Sequence, residues 1–293
     1  MFDFKALYEA HTVEEAIALR AAHPAAEIIA GGSDQLVRLR NGKLAGCELI
    51  SIYAVDALRG VEMDFGDNLI IGALTSFSEL EENPLIRRYM PVLAQAAGLV
   101  GGPQVRNIGT IGGNVANGVT SADTATTLLA WDAEMELRSA EGKRYISMEK
   151  WYLSAGKVNI RPDEILTHIL IPRGAKGKYA GWYEKYAMRN AMDIAAISCS
   201  LNLCLSADKK TVEDVRVAFG VAAPVPVRAY SAEAAGRHAP VSAETAEAMV
   251  RAMANDIAPR TSWRAKGEFR AHIAGELLRR CFREAVKQAG GAL

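Results

Sequence analysis

The chain has 293 residues, half of them hydrophobic, and its 34 basic residues are balanced by 34 acidic ones. This length permits two domains with substantial cores, and the charge balance argues against a broad nucleic-acid-binding surface. No secretory signal pattern and no bilayer-spanning apolar run is evident, so we expect a cytoplasmic protein that contacts neither nucleic acid nor membrane.

The first predicted elements surround a Gly-Gly turn. Thr12-Val13-Glu14-Glu15 has the pattern of a capping box and predicts a helix from Val13 to about Ala22. Strands are predicted at 27–30 and 49–52, with a helix at 35–40 between them. Gly31-Gly32-Ser33-Asp34 lies between the first strand and that helix, where amides can meet a phosphate. The turn matches no nucleotide-binding fingerprint, so an ordinary helix cap is the preferred interpretation when it is taken alone.

The next elements lead into a glycine-rich stretch. A hairpin is predicted at 61–72, a capping box at Ser76-Phe77-Ser78-Glu79 opens a short helix, and Pro91 starts a helix that ends near Val100. The stretch Gly101–Asp123 then contains six glycines and one proline. We expect no ordinary helix in it, because glycine and proline both disfavour helix interiors. A backbone cradle for a nucleotide and a tight structural crossover are equally consistent with it.

After this stretch, Ser121 is predicted to cap a helix at 122–131, followed by a hairpin at 135–146 and a strand at 164–171. The small, basic segment Gly174-Ala175-Lys176-Gly177-Lys178 is the predicted domain boundary, which gives domains 1–173 and 178–290. Beyond it we predict three strands and then three helices. The strands are 181–188, 194–205 and 212–221, and the helices are 229–237, 243–257 and 266–287. This order predicts an α+β domain with helices packed on a three-stranded sheet.

Side chains suited to catalysis are scarce. The five histidines show no paired metal-ligand spacing, so we expect no metal site. Cys199 and Cys204 are five residues apart in a predicted strand, which places them on opposite faces as small hydrophobic residues. No nucleophile with an evident base is found, so we name no catalytic residue. The pattern favours a cofactor carrier, in which the cofactor supplies the reactivity.

Two glycine turns about 80 residues apart carry a resemblance to a known family. Ile28-Ile29-Ala30-Gly31-Gly32-Ser33-Asp34 and Thr110-Ile111-Gly112-Gly113-Asn114 resemble the paired turns of the FAD-binding subunits of the molybdenum hydroxylases. The segments Gly102–Asn107, Lys185–Arg189, Asp193–Ala195 and Ser262–Ala265, together with Phe269-Arg270, are also similar, so the resemblance covers essentially the whole chain. Within the family it is strongest to the separate FAD subunit of bacterial xanthine dehydrogenase.

The resemblance implies a two-lobed FAD-binding domain of the vanillyl-alcohol oxidase (PCMH) type, followed by a C-terminal domain of the CO dehydrogenase flavoprotein type. FAD would lie between the lobes, with its pyrophosphate at the two glycine turns. The implied cofactor-binding residues are Ile28, Ile29, Ala30, Gly31, Gly32, Ser33, Asp34, Gly109, Thr110, Ile111, Gly112, Gly113, Asn114, Asp123, Ile165 and Lys185. Asp123 would contact the ribityl or adenosine part, although a carboxylate is also favourable in a first helical turn without any ligand. Valine at both Gly32 and Gly112 is expected to abolish flavin retention while the fold survives.

The resemblance also implies an electron relay. Purine oxidation would take place at a molybdopterin cofactor on a large subunit, electrons would pass through 2Fe–2S clusters on a small subunit, and FAD on this chain would reduce NAD+. The alternatives are the same role with carbon monoxide, nicotinate or an aldehyde as substrate, a stand-alone flavin reductase, and a scaffold without flavin. The chain lacks cysteines spaced for the 4Fe–4S insertion of some relatives. Glu184 places a charge near the implied flavin pocket unless its side chain points away.

Overall fold

The structure is a computed structural model that describes residues 2–172, 174 and 179–293. The predicted boundary segment 174–178 lies outside the described residues except for Gly174. The described part of the chain forms two α/β lobes followed by a C-terminal sheet covered by helices.

The first lobe is a small parallel sheet with two helices. Its elements are β1 (Phe4–Glu9), α1 (Val13–Ala22), β2 (Glu27–Ile29), α2 (Gln35–Arg40) and β3 (Cys47–Ser51). The strand order is β1-β3-β2, so the central strand β3 pairs with both neighbours. The sequence did not predict β1, because most of its side chains are exposed and show no buried face. Thr12 caps α1 as predicted, but the Glu15 carboxylate accepts from the amide of His11.

The second lobe is a five-stranded antiparallel sheet covered by short helices. Its strand order is β4-β5-β10-β6-β7, and β8 and β9 form a separate two-stranded pair. The strands are β4 (Val61–Met63), β5 (Leu69–Gly72), β6 (Glu134–Ser139), β7 (Gly142–Ser147), β8 (Tyr152–Ser154), β9 (Lys157–Val158) and β10 (Ile165–Ile171). The helices are α3 (Phe77–Glu82), α4 (Pro84–Tyr89), α5 (Pro91–Gly98), α6 (Pro103–Ile108), α7 (Ile111–Ala116) and α8 (Asp123–Ala130). The predicted capping box at the start of α3 is confirmed in full.

The glycine-rich stretch contains two six-residue helices, α6 and α7, so the expectation that it would form no helix is corrected. Pro103 stands at the first position of α6, where its missing N–H costs nothing, and the Thr110 side chain caps α7. The helix α6 itself contains no glycine, and α7 is brief enough that the Thr110 cap outweighs the low helix propensity of its two glycines. Ser121 is not the cap of α8, which begins after Ala122 without a side-chain cap.

The C-terminal domain has one strand more than predicted. Its sheet order is β11-β12-β13-β14, formed by β11 (Ala180–Tyr186), β12 (Ile197–Leu205), β13 (Val212–Gly220) and β14 (Val227–Arg228). The two-residue strand β14 pairs with β13 directly after Pro226, and so short an element gives no periodic signal in the sequence. The helices are α9 (Tyr230–Gly236), α10 (Ala243–Met253) and α11 (Gly267–Gln288).

The two faces of this sheet pack against different cores. Cys199 lies in the core beneath the C-terminal helices, whereas Cys204 packs against the core of the second lobe, so their predicted placement on opposite faces is confirmed. Arg228 connects the C-terminal domain to the second lobe, because its Nη1 lies 2.7 Å from the carboxylate of Asp132. Asn202 adds a hydrogen bond of 3.1 Å to the carbonyl oxygen of Ala130. No helix in the described part of the chain is long and apolar enough to cross a bilayer.

Candidate cofactor site

The first glycine turn presents free amides. It connects β2 to α2, and Gly32 adopts a φ of 71°, a conformation that side chains disfavour. Among the described residues, the amides of Gly31, Gly32, Ser33 and Asp34 donate to no protein acceptor. Ser33 and Asp34 are exposed and the two glycines are half-buried. No side-chain cap bond forms at Asp34, so the turn is not the ordinary helix cap that its sequence favoured.

The second turn uses its amides within the protein. The Ile111 amide donates to the Thr75 carbonyl at 3.0 Å, and the Gly112 amide donates to the Ala73 carbonyl at 2.8 Å. The Gly113 amide donates to Oγ1 of Thr110 at 3.2 Å. The second turn would therefore contact a ligand mainly through its backbone surface and its polar side chains. Its amides are largely occupied within the protein.

The two turns lie against one another. A methyl group added to Gly31 would stand 1.7 Å from the carbonyl oxygen of Ile108 and 3.3 Å from Cα of Gly109. Asn117, at the end of α7, donates a hydrogen bond of 2.6 Å to the carboxylate of Asp34. The resemblance paired these turns by motif, and the structure brings them into direct contact across the two lobes.

Gly112 has a packing role. A methyl group on it would lie 2.6 Å from both the Cβ and the carbonyl oxygen of Ala73. The glycine therefore lets α7 approach the end of β5 closely. This is the role of a tight structural crossover, which the sequence offered as the alternative to a nucleotide cradle. Valine at this position would press on that packing, so the stability of the double glycine variant has to be measured beside its flavin retention.

A cavity borders the first turn. Its volume is about 210 Å³, and its lining residues are Leu7, Ile29, Ala30, Ser51, Tyr53 and Ile108. Ile108 belongs to the second lobe and the other lining residues to the first, so the cavity opens where the lobes meet. Ile29 and Ala30 of the sequence-predicted set line it directly.

A buried ion pair joins α8 to the C-terminal sheet. The Lys185 ammonium lies 2.9 Å from Oδ2 of Asp123 and 3.0 Å from the carbonyl oxygen of Leu99. The Tyr183 hydroxyl donates to Oδ1 of Asp123 at 2.7 Å. The structure thus brings together two residues, Asp123 and Lys185, that are 62 positions apart in the chain.

Burial is the main cause of the shifted pKa values of Asp123 and Tyr183. Burial raises the pKa of Asp123, and the Lys185 ammonium and the Tyr183 hydroxyl act in the opposite direction. Burial, followed by the neighbouring Asp123 carboxylate, holds the pKa of the Tyr183 phenol well above its usual range. The phenol therefore stays protonated and acts as a permanent hydrogen-bond donor to the carboxylate.

Sequence reasoning missed Tyr183, and the strand period could have found it. Residues two apart on a strand share a face, so Tyr183 and Lys185 point together toward α8. Glu184 points to the other face, where its carboxylate accepts from the Trp182 indole at 2.9 Å and lies 3.7 Å from Arg280. The charge at Glu184 is thereby directed away from the candidate site, as the sequence analysis allowed.

The remaining predicted residues have varied positions. Asn114 accepts a hydrogen bond of 2.7 Å from Thr124, the residue after Asp123, and so connects the second turn to the ion pair. Ile28 packs partly buried against the core of the first lobe, and Ile165 lies within that core. Ile111 is buried in the core of the second lobe.

FAD suits the polar groups of this site. Its pyrophosphate is an anion that accepts hydrogen bonds, and the four free amides of the first turn are donors in a tight loop. The glycines let backbone approach closely on both sides of the lobe junction. Among the described residues, no group of three or more His, Cys, Asp or Glu side chains could hold a metal ion.

Comparisons with known proteins agree with this geometry. Residues 2–174 match the FAD binding domain in molybdopterin dehydrogenase, and residues 182–285 match the CO dehydrogenase flavoprotein C-terminal domain. The putative xanthine dehydrogenase FAD-binding subunit of Escherichia coli K12 is 40% identical over all 293 residues, which is 100% of both chains. The carbon monoxide dehydrogenase medium chain of Hydrogenophaga pseudoflava is 28% identical over 89% of each chain.

Solved structures give the same result. A carbon monoxide dehydrogenase structure from Hydrogenophaga pseudoflava superposes with a TM-score of 0.93 at 27% identity, covering 98% of this chain and 99% of the other. The quinoline 2-oxidoreductase of Pseudomonas putida 86 shares the fold, with a TM-score of 0.92 at 22% identity over 99% of each chain. With a FAD-binding domain on its first 174 residues, the chain belongs to the FAD-binding subunits of the molybdenum hydroxylase family.

Proposed function

We propose that this chain is the FAD-carrying electron-transfer subunit of a molybdenum-containing xanthine dehydrogenase. The observation that carries the proposal is the 40% identity, over the full length of both chains, to a xanthine dehydrogenase FAD-binding subunit. The partners would be a molybdopterin-binding large subunit and a small subunit with 2Fe–2S clusters. NAD+ is the proposed electron acceptor, and the cytoplasm the proposed compartment.

The chain's own residues would hold the cofactor. We assign the pyrophosphate to the amides of the Gly31–Asp34 turn, because these donate to no acceptor in the described part of the chain. The Gly109–Asn114 turn would form the facing wall through its close backbone and the Thr110 and Asn114 side chains. Ile28, Ile29, Ala30 and Ile165 would give apolar contacts. When bound, FAD supplies the exchange between single electrons and a hydride.

Asp123 and Lys185 would orient the cofactor from the domain junction. Because their charges are paired and their side chains buried, they form a fixed polar wall whose geometry depends on both domains. We propose the domain division 1–173 and 178–290, which the two matched family regions support. No side chain of this chain is assigned a catalytic role, since the substrate reaction would occur on the large subunit.

A second candidate is the same flavoprotein role for another substrate. Similarity to the medium chain of carbon monoxide dehydrogenase extends over most of the chain, at 28% identity. The nicotinate dehydrogenase FAD-subunit of Eubacterium barkeri is 32% identical over 58% of this chain. A shared fold does not determine the substrate of the large subunit, so the choice depends on the partner.

The decisive experiment is co-purification of the tagged chain from its native source, followed by assay of the complex. We expect FAD, molybdopterin and 2Fe–2S clusters in the complex, and reduction of NAD+ when xanthine is added. Nicotinate and carbon monoxide are tested in the same assay as alternative substrates, and O2 is tested as the alternative electron acceptor. A complex that oxidises one of these and not xanthine would establish the second candidate, and a chain purified without flavin would refute both.

A further inference from the structure

The carboxylate of Asp123 is held on both of its oxygens from the C-terminal domain. The Tyr183 hydroxyl donates to Oδ1 at 2.7 Å, and the Lys185 ammonium donates to Oδ2 at 2.9 Å. Both donors lie on β11, two residues apart, so they reach α8 from one face of the strand. A carboxylate has about four acceptor positions, so in the described part of the chain each oxygen keeps one for a ligand.

Tyr183 is itself fixed by its neighbours. It is only 1% exposed, and its backbone amide donates to Oε1 of Gln95, on α5, at 3.1 Å. The Ser198 hydroxyl, on the neighbouring strand β12, donates to the phenol oxygen and acts to lower the phenol pKa, against the larger effect of burial. Because the phenol receives one hydrogen bond and has a single proton to give, that proton is directed to Oδ1 of Asp123.

Separate contacts hold the backbone that leads to Asp123. The Val221 amide donates to the carbonyl and to the hydroxyl oxygen of Thr120, at 3.2 Å each, and the Thr120 hydroxyl donates to the Ala223 carbonyl at 3.3 Å. Val221 has a φ of 61°, a left-handed conformation that β-branched residues rarely adopt and that persists only where its surroundings fix it. The start of α8 is therefore held without Tyr183, and loss of the phenol would release only the carboxylate side chain.

A second tyrosine–carboxylate pair in the chain provides a comparison. The Tyr179 hydroxyl donates to Oδ2 of Asp214, and Nε of Arg237 donates to the other oxygen at 2.8 Å. Asp214 lies on β13, which carries no predicted cofactor-binding residue. The Tyr179 bond has the same chemistry as the Tyr183 bond and is not connected to the candidate cofactor site, so it isolates the structural contribution of such a bond.

We infer that Tyr183 is a positioning residue for the cofactor, which holds the Asp123 carboxylate in the orientation that accepts hydrogen bonds from hydroxyl groups of FAD. This inference rests on the proposed function, in which Asp123 contacts the ribityl or adenosine part. The hydroxyl groups of both parts are hydrogen-bond donors. A carboxylate that is already held in one orientation loses little side-chain freedom when such groups bind, which favours affinity. Tyr183 acts on the cofactor through Asp123.

The test measures the dissociation constant for FAD of the full-length chain, by flavin fluorescence after the cofactor has been removed and added back. Tyr183→Phe is compared with the matched control Tyr179→Phe, and it is also placed in an Asp123→Ala background. If Asp123→Ala does not fold, the background Asp123→Leu with Lys185→Met, which removes both buried charges, takes its place. Urea denaturation gives the stability of every variant.

We expect Tyr183→Phe to raise the dissociation constant for FAD about tenfold, because Asp123 loses a hydrogen bond to its charged group. Tyr179→Phe should also lose stability, yet it should bind FAD as the wild type does. In the Asp123→Ala background, Tyr183→Phe should change the dissociation constant by less than about twofold, because the side chain through which it acts is absent.

An equal loss of FAD affinity in both backgrounds would show that Tyr183 acts on the fold as a whole, and it would overturn the positioning role. Wild-type FAD affinity in Tyr183→Phe would overturn that role as well, and the proposed function would still stand. A wild-type chain that binds no FAD would refute the proposed function and this inference with it.

Discussion

The ammonium of Lys185, in the C-terminal domain, lies 2.9 Å from the carboxylate of Asp123, at the start of α8, and both side chains are more than nine-tenths buried. The pair therefore connects the two domains at the place where the resemblance assigns cofactor contacts. Because water is excluded, each charge depends on the other for compensation.

Removing one member of this pair should be costly. We expect Lys185→Met to lower the free energy of unfolding by about 3 kcal/mol, because it leaves the Asp123 charge buried with the Tyr183 hydroxyl as its remaining strong partner. Chemical denaturation of the variant measures the effect. Lys185→Met combined with Asp123→Asn should lose less than the sum of the single variants, and strict additivity would show that the two groups are not coupled.

The contact between the two glycine turns should tolerate no side chain at Gly31. Because a methyl group there would overlap the Ile108 carbonyl, we expect Gly31→Ala to destabilise the chain by at least about 2 kcal/mol and to reduce flavin retention. Gly174→Ala is the control, since no described residue lies within 4 Å of an added methyl group at that position. Thermal unfolding and flavin absorbance of both variants check this, and a stable, fully flavinated Gly31→Ala protein would contradict it.

Neighbouring glycines of the second turn should behave differently. Gly112→Ala is expected to cost about 1–3 kcal/mol, because the new methyl group would press on the Ala73 backbone. At Gly113 the one described atom that an added methyl group would meet is Oγ1 of Thr110, outside the helix's own backbone. Loss of that cap, about 1 kcal/mol, should be offset by the better helix propensity of alanine. Urea denaturation of the two variants distinguishes them, and equal destabilisation would refute the packing role of Gly112.

The pH dependence of stability should involve Glu164. Burial alone would raise the pKa of this carboxyl, but hydrogen bonds from the Arg144 side chain, at 2.5 and 2.7 Å, and from the Arg161 amide lower the pKa below its ordinary value. Because the Glu164 pKa is lower in the folded protein than in the unfolded chain, where it is near 4.5, the ionised carboxylate stabilises the fold at pH values above 4.5. This stabilisation is lost as the pH falls through the pKa of the folded state. Glu164→Gln should therefore be less stable at pH 7.

The stability difference between Glu164→Gln and wild type, about 1–3 kcal/mol at pH 7, should shrink below about pH 4.5. Urea denaturation at several pH values measures it. Arg283→Glu, which alters an exposed charge without an ion pair among the described residues, is the comparison. A difference that stays constant from pH 7 to pH 3 would show that the Glu164 pKa is not shifted on folding.

Local sequence signals predicted most of the elements. The capping residues of α1 and α3, the hairpins of the second lobe and the C-terminal helices were all readable, because caps, turns and periodicity act between residues that are close in the chain. Elements without such signals were missed, among them the exposed strand Phe4–Glu9, the short strands β8 and β9, and the two-residue strand β14.

The glycine-rich stretch shows the limit of composition. Its glycines predicted an irregular loop, whereas the structure contains two short helices separated by Gly109 and Thr110. The sequence could not distinguish a cradle from a crossover, since both need glycine. The structure shows that Gly112 serves packing on Ala73, while free amides belong to the Gly31–Asp34 turn.

By itself the sequence determined the family, the order of the domains and the two glycine turns. Motifs and local propensities depend on residues that are close together in the chain, so they can be recognised without the structure. Only the tertiary structure decided that Gly31 touches the Ile108 carbonyl, that Tyr183 and Lys185 share the carboxylate of Asp123, and that Glu184 points away. The contacts of Gly31 with Ile108 and of Asp123 with Tyr183 and Lys185 join residues 60 or more positions apart. Packing and burial, which no local pattern specifies, set them.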